Sequence, residues 1–270
     1  MKNSQIHPSA IVESGAVLGE GVTVGPYAVI EDGAKIGQGC RVLSHAIIKK
    51  HAVIADNVEL GHFSVIGGDP QHMGFDRSIH SSVFIGNSTR IGEGVTVHRS
   101  IEKDGRTLVG ENCFLMGYCH IAHDCEVDNK VVLANGALLG GHVSVGQESF
   151  IGGGAAVHQF VRIGKGSMIG GLAEISLDVP PQVLVSGRNA ISGLNLIGLK
   201  RREVSRSEIS ELKQCFRKVF TNYNVKRNAE EILRSGECPS SKIAHEFLSF
   251  FASGQRGFAK YSLKDGDSLR

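Results

Sequence analysis

Residues 22–48 read VTVGPYAVIEDGAKIGQGCRVLSHAII, and every sixth residue from Val24 is aliphatic: Val24, Ile30, Ile36, Val42, Ile48. The column extends back through Leu18 and Val12 to Ile6 and forward through Ile54 and Leu60 to Ile66. It then slips by one residue, resumes at Ile85 and runs to Ile175, interrupted only at Lys103. Of 27 positions 26 are aliphatic, where an apolar content of 41% gives about eleven by chance. No helix produces this period, because 3.6 does not divide six; a strand alternates at two, and six is three such steps. Short strands wound into a solenoid fit the pattern. Three six-residue sides make an 18-residue coil, a triangular prism rising by about 4.8 Å per turn, the ordinary strand spacing.

A second column lies four residues after the first: Ala10, Ala16, Val22, Ala28, Ala34, Cys40, Ala46 and Ala52, and later Cys113, Cys119, Cys125, Val131 and Ala137. These are small side chains suited to tight corners. The column accounts for four of the six cysteines as buried small residues rather than metal ligands or disulfide partners. Cys215 and Cys238 fall outside the repeat and show no ligand spacing. Glycine often follows the aliphatic residue, as at Gly19, Gly25, Gly37, Gly86, Gly92, Gly146, Gly152 and Gly164, which suggests turns that need positive φ. A core of small and β-branched residues also explains a composition with 35 Gly, 6% aromatic residues and no Trp.

Two interruptions break the array. Residues 67–84, GGDPQHMGFDRSIHSSVF, shift the register; residues 99–108, RSIEKDGRTL, lose the column at Lys103 but keep its phase. Loops on a rigid solenoid are places where sites are built. After Ile175 comes LDVPPQ, where Pro180 and Pro181 cannot donate to a ladder. The pattern then turns helical, with Ser207 as expected N-cap before Ile209, Leu212, Phe216, Val219 and Phe220. Further helices are expected near 227–234 and 239–252, and the polar chain beyond about 260 reads as a frayed end. The division is a solenoid over 1–188 and a helical region over 189–270.

A net charge of +2 excludes a globally basic nucleic-acid binder. The first residues, MKNSQIHPSA, lack the apolar core of a secretory signal, and no apolar run reaches the roughly 18 residues of a membrane span. A cytoplasmic protein is the expectation.

Histidines cluster in HIAHDC (120–125), GGHVSVG (140–146), VHQFVRIG (157–164) and at His98. On an 18-residue coil Gly141 stands one winding above His123, and Gln159 one above that; His142 and His158 are each one residue off the line. Imidazole suits general-base work near neutral pH, and Asp124 adjoins His123. Of the other histidines, His7, His45, His51, His62, His80 and His245 read as solvated or capping residues.

The columns resemble the hexapeptide-repeat family, whose fold is a left-handed parallel β-helix. HIAHDC, GHVSVG, VHQF, the opening HPSAIV and the closing DVPP and GLKRR resemble the UDP-N-acetylglucosamine acyltransferases, over nearly the whole chain. The resemblance implies a cytoplasmic homotrimer with sites between subunits. It further implies an acyl-carrier-protein donor, a UDP-sugar acceptor, no cofactor, no metal, and a place in lipid A biosynthesis. It makes His123 the general base, Asp124 its support and the Gly141 N–H the oxyanion donor. It places Met73, Gly74, His98, His120, His142, His158, Gln159, Asn195, Arg201 and Arg202 around the substrates, and Gly171 and Glu174 at the acyl-chain end. Residues 200–227 carry nine Lys/Arg against three Glu, a local +6 that suits an acidic carrier protein.

Two stretches depart from the family pattern. Where members read DPQDLKY this chain reads DPQHMGF, with His72 at the Asp and Gly74 at the Lys; Ile197 stands where many carry Glu. These leave the acceptor open between UDP-N-acetylglucosamine and its 3-amino analogue. A zinc hydratase of the γ-carbonic-anhydrase kind shares the solenoid, but its paired histidines are five apart, whereas His120 and His123 are three apart.

Overall fold

Each hexad contributes a two-residue strand followed by a turn, and strands eighteen residues apart pair in parallel. Gln5–Ile6 lies on Thr23–Val24, Ile11–Val12 on Val29–Ile30, and Val17–Leu18 on Lys35–Ile36. Repetition of these three pairings, with a hairpin strand and a last C-terminal strand added to the first, builds faces of twelve, nine and eight strands among the described residues. The computed structural model describes residues 4–235 and 239–261. In the chain's order, the first corner joins faces one and two, the second joins faces two and three, and the third returns to face one.

The two columns of the sequence fill the interior. Ile30, Ile48, Leu60, Ile66, Ile121 and Leu139 are wholly buried, as are Ala28, Ala34, Cys40, Ala46 and Cys125 between them. The first residue of each two-residue strand is exposed or half-buried and faces outward. Truncating one inward isoleucine to alanine removes contacts that no other coil can supply, at a cost of about 2–5 kcal/mol. Cys40, Cys113, Cys119 and Cys125 are buried free thiols, and Cys215 is buried as well. Cys238 lies outside the described residues.

Most of the glycines that follow the aliphatic column serve a different purpose from the expected one. Positive φ falls two residues later, and there mostly on non-glycine residues such as Tyr27, His45, Phe63 and Tyr118. At Gly19, Gly152 and Gly164 the obstacle is the neighbouring winding. A Cβ would come within 2.5, 2.5 and 2.3 Å of the backbone nitrogens of Gln38, Gly171 and Pro181. Stacked coils approach so closely there that only a hydrogen fits.

Both interruptions leave from the second corner. Glu59 pairs with Arg90, 31 residues on, so this coil holds thirteen residues beyond eighteen. Thirteen is two hexads and one residue, which is the slip seen between Ile66 and Ile85. Thr96 pairs with His120, 24 residues on, an insertion of one hexad that preserves the phase across Lys103.

The prolines do not end the solenoid at once. Val179 bridges to Ile163, and Val183–Ser186 pairs in parallel with Met168–Ile169. The chain then reverses, and Ala190–Leu194 runs antiparallel to Val183–Ser186, so residues 188 and 189 sit in this hairpin turn. Among the described residues four α-helices follow: α1 (Leu196–Arg201), α2 (Arg206–Val219), α3 (Val225–Arg234) and α4 (Lys242–Ser249).

The N-cap of α2 is Ser205, not Ser207. Ser205 has extended backbone, its hydroxyl accepts the Glu208 N–H, and the Glu208 carboxylate accepts the Ser205 N–H. This capping box satisfies two donors at once and leaves Ser207 inside the first turn. Phe216, Phe220, Phe247 and Phe251 pack against one another and, through the first two, against Tyr261 as the core of the helices. Arg162 docks this unit on the prism through the fully buried Asp178, Ser253 and the Phe250 ring. The chain returns to the solenoid at Lys260–Tyr261. The polar tail from residue 262 lies outside the described residues, among which no helix is long and apolar enough to cross a membrane.

Candidate active site

The second corner of three successive coils brings His123–Asp124, Gly141–His142 and Gln159–Phe160 into one file, because each pair fills the same turn of its hexad. The His123 Nδ1 lies 2.8 Å from the Asp124 Oδ2. A carboxylate only accepts, so Nδ1 carries a proton, and the neutral form of the ring has its lone pair on Nε2. Ring and glycine are in contact: a Cβ on Gly141 would stand 2.5 Å from the His123 Cε1 and 2.8 Å from its Nε2. The Gly141 N–H donates to no acceptor among the described residues.

Asp124 is held by more than the histidine. The Ser100 hydroxyl donates to its Oδ1, the Ile101 N–H donates to Oδ2 at 3.1 Å, and its own N–H donates to the Thr107 hydroxyl at 2.8 Å. Burial alone would raise its pKa. The bonds from His123, Ser100 and Ile101, with His142 nearby, outweigh that and hold it below the usual carboxylate value. Ser100, Ile101 and Thr107 belong to the inserted hexad or its flank, where no period marks them out.

His142 stands edge-on to His123 at 5.2 Å and stacks flat on Phe160 at 4.6 Å. Its Nε2 is 3.8 Å from the Asp124 Oδ2. His123, Asp124 and His142 offer ligand atoms within 4.8 Å of one another, yet both Asp124 oxygens already accept protein hydrogen bonds. One coil below, His98 meets His120 edge to face at 4.8 Å, and His120 shares a 2.8 Å bond with the Thr96 hydroxyl. Burial lowers both imidazoles, His98 to about 4. His158, at the top of the file, is exposed, and its Nδ1 lies 2.9 Å from the Arg256 guanidinium. The same nitrogen lies 3.2 Å from the Gln159 carbonyl, so the ring's tautomer decides which of the two contacts is a hydrogen bond. Arg256 reaches the site from the far end of the chain, with no sequence signal linking it to His158.

Other candidate residues lie elsewhere. Met73 and Gly74 sit exposed in the loop of residues 69–81. Gly171 is on the first corner, and Glu174 is on the outside of face two with Arg188 3.7 Å away. Asn195, Arg201 and Arg202 line a cavity of about 670 Å³ at the third corner, shared with Lys130, Glu148 and Phe150. Asn195 caps α1 by accepting the Gly198 N–H and donates to the Gly166 carbonyl. Arg202 is tied to Glu148 and Gln182. A single chain thus places the histidine file and this cavity on different corners.

Residues 33–68 and 106–141 match the bacterial transferase hexapeptide model (six repeats), and residues 178–259 match the second domain of UDP-N-acetylglucosamine O-acyltransferase. An acyl-[acyl-carrier-protein]--UDP-N-acetylglucosamine O-acyltransferase of Burkholderia ambifaria is 40% identical over 263 residues, covering 95% of this chain and all of the relative. The chain belongs to the UDP-N-acetylglucosamine O-acyltransferase family. Among solved structures, the UDP-N-acetylglucosamine acyltransferase of Campylobacter jejuni superposes with a TM-score of 0.88 at 36% identity, over 96% of this chain and 100% of that one. The Francisella novicida enzyme gives 0.90 at 31%, over 98% of each. The prism is the left-handed parallel β-helix of this acyltransferase family. Membership weighs against the zinc hydratase, which shares only the solenoid.

Proposed function

We propose that this chain transfers an (R)-3-hydroxyacyl group from acyl carrier protein to the 3-hydroxyl of UDP-N-acetylglucosamine, the step that opens lipid A biosynthesis. The observation that carries the reading is the His123 ring, protonated toward Asp124 at Nδ1, with its other edge against Gly141. His123 Nε2 takes the proton of the sugar hydroxyl as that oxygen attacks the thioester carbonyl. The oxyanion of the tetrahedral intermediate accepts the Gly141 N–H. Collapse breaks the carbon–sulfur bond, His123 returns the proton to the departing thiolate, and an ester remains. Asp124 holds the ring's tautomer and balances its charge while it is protonated.

The remaining assignments complete the reading. Met73, Gly74, His98, His120, His142, His158 and Gln159 contact the sugar nucleotide or the acyl arm. Asn195, Arg201 and Arg202 take the nucleotide from a neighbouring subunit of a cytoplasmic homotrimer. Gly171 leaves room for a long acyl chain, and Glu174 bounds it. The basic residues of 200–227 dock the carrier protein, which supplies the donor; no cofactor is required.

The test is acyl transfer from a 3-hydroxyacyl carrier protein to UDP-N-acetylglucosamine and, separately, to its 3-amino analogue. Turnover of the first, falling about 10²–10⁴-fold in His123→Ala with trimer and melting point kept, is the expected result. Undiminished turnover in that variant removes the base; turnover of the amino sugar alone makes this an amide-forming enzyme.

A further inference from the structure

The side chain of Arg99 is 1% exposed, although it belongs to a loop. All of its donor nitrogens are used. Its Nε donates to the Asp69 carboxylate at 2.9 Å, Nη1 to the Ile79 carbonyl at 2.7 Å and the Ser81 hydroxyl at 3.0 Å, and Nη2 to the Arg77 carbonyl at 3.0 Å. The guanidinium plane covers the Phe75 ring at 4.7 Å. Five residues of the loop 69–81 therefore converge on one cation that belongs to the next coil. The loop has no strand or helix of its own, so these bonds replace the ladder that orders the rest of the prism.

The next residues of the same segment hold the dyad. The Ser81 hydroxyl that accepts from Arg99 donates to the Ser100 carbonyl at 2.7 Å. Ser100 and Ile101 then bond the two oxygens of Asp124. One short segment thus fixes the loop on one side and the carboxylate behind His123 on the other.

We propose that Arg99 is a positioning residue: it clamps the loop 69–81 against the coil beneath the dyad and so presets the wall that meets the acceptor. This rests on the acyltransferase reading above. Lysine in its place keeps the charge but has no planar fork, so it cannot reach three carbonyl and carboxylate partners together.

The experiment uses the full-length trimer with Arg99→Lys and, independently, Asp69→Asn, which loosens the clamp from the loop side without touching the prism. The Arg77–Ser78 bond is a tryptic site whose carbonyl Arg99 itself holds. In both variants cleavage at Arg77 is expected to rise about tenfold or more while the trimer persists. KM for UDP-N-acetylglucosamine is expected to rise about tenfold with kcat within about threefold, the signature of lost ground-state positioning. Ser100→Ala is the contrast: kcat falls, with KM and cleavage unchanged. Wild-type cleavage in Asp69→Asn and Arg99→Lys overturns the clamp. Faster cleavage with an unchanged KM overturns the link to the acceptor. Should the wild-type protein fail to acylate any UDP sugar, the function is wrong, and the cleavage rates still decide the clamp.

Discussion

At the scale of single residues, the site depends on a glycine having no side chain. Gly141 does not have positive φ, so alanine there strains no backbone. Its Cβ would instead meet the His123 ring at 2.5 Å and push it out of line. Gly141→Ala is expected to lower kcat by about 10²–10³ while the melting temperature stays within a few degrees, measured by steady-state kinetics beside calorimetry. His98 makes the complementary prediction for stability. Burial, reinforced by His120 and His123, lowers its pKa from 6.5 to about 4 in the folded protein. Between those values the unfolded chain binds a proton that the folded one refuses, so stability rises with pH. The contribution is complete above about pH 6.5 and is lost as the pH falls toward 4, on the order of 3 kcal/mol. Denaturant midpoints across that range should fall less steeply in His98→Gln, which stays neutral throughout. A slope equal to wild type would assign the acid sensitivity elsewhere.

At the scale of the element, legibility follows the period. A coil repeats every eighteen residues, so the column from Ile6 to Ile175 carried both the prism and the height of Gly141 above His123. The phase of the insertions was also legible, since thirteen residues displace a six-residue count by one and six displace it by none; their lengths came only from the strand pairing. What lacked periodicity lacked a signal. Ser100, Ile101 and Thr107 hold Asp124 from the inserted hexad and its flank, and Arg256 reaches His158 across 98 residues. The glycines show a subtler limit. Their positions were plain, but a repeat read in one dimension cannot tell a residue that needs positive φ from one pressed against the winding above. The α2 cap was missed in a similar way. Ser205 and Ser207 both precede the apolar face, and the capping box, with Glu208 three residues after Ser205, distinguishes them.

At the scale of the whole molecule, the proposed site is divided between two corners of the prism. His123, Asp124 and Gly141 occupy the second corner, while Asn195, Arg201 and Arg202 line the cavity of the third, with face three between them. In the site proposed above, the substrate lies between the second corner of one copy and the third corner of the next. This makes complementation a decisive measurement. His123→Ala and Arg201→Ala are each expected to be nearly inactive as pure trimers, Arg201 being the exposed member of its pair. Co-expressed in equal amounts, they should form trimers in which about a quarter of the sites combine a wild-type second corner with a wild-type third corner, and activity should return to about that fraction. If both sets of residues served a site within one chain, every site in the mixture would carry one defect. Verified mixed trimers that stay inactive would therefore end the shared-site reading while leaving the His123–Asp124 pair untouched.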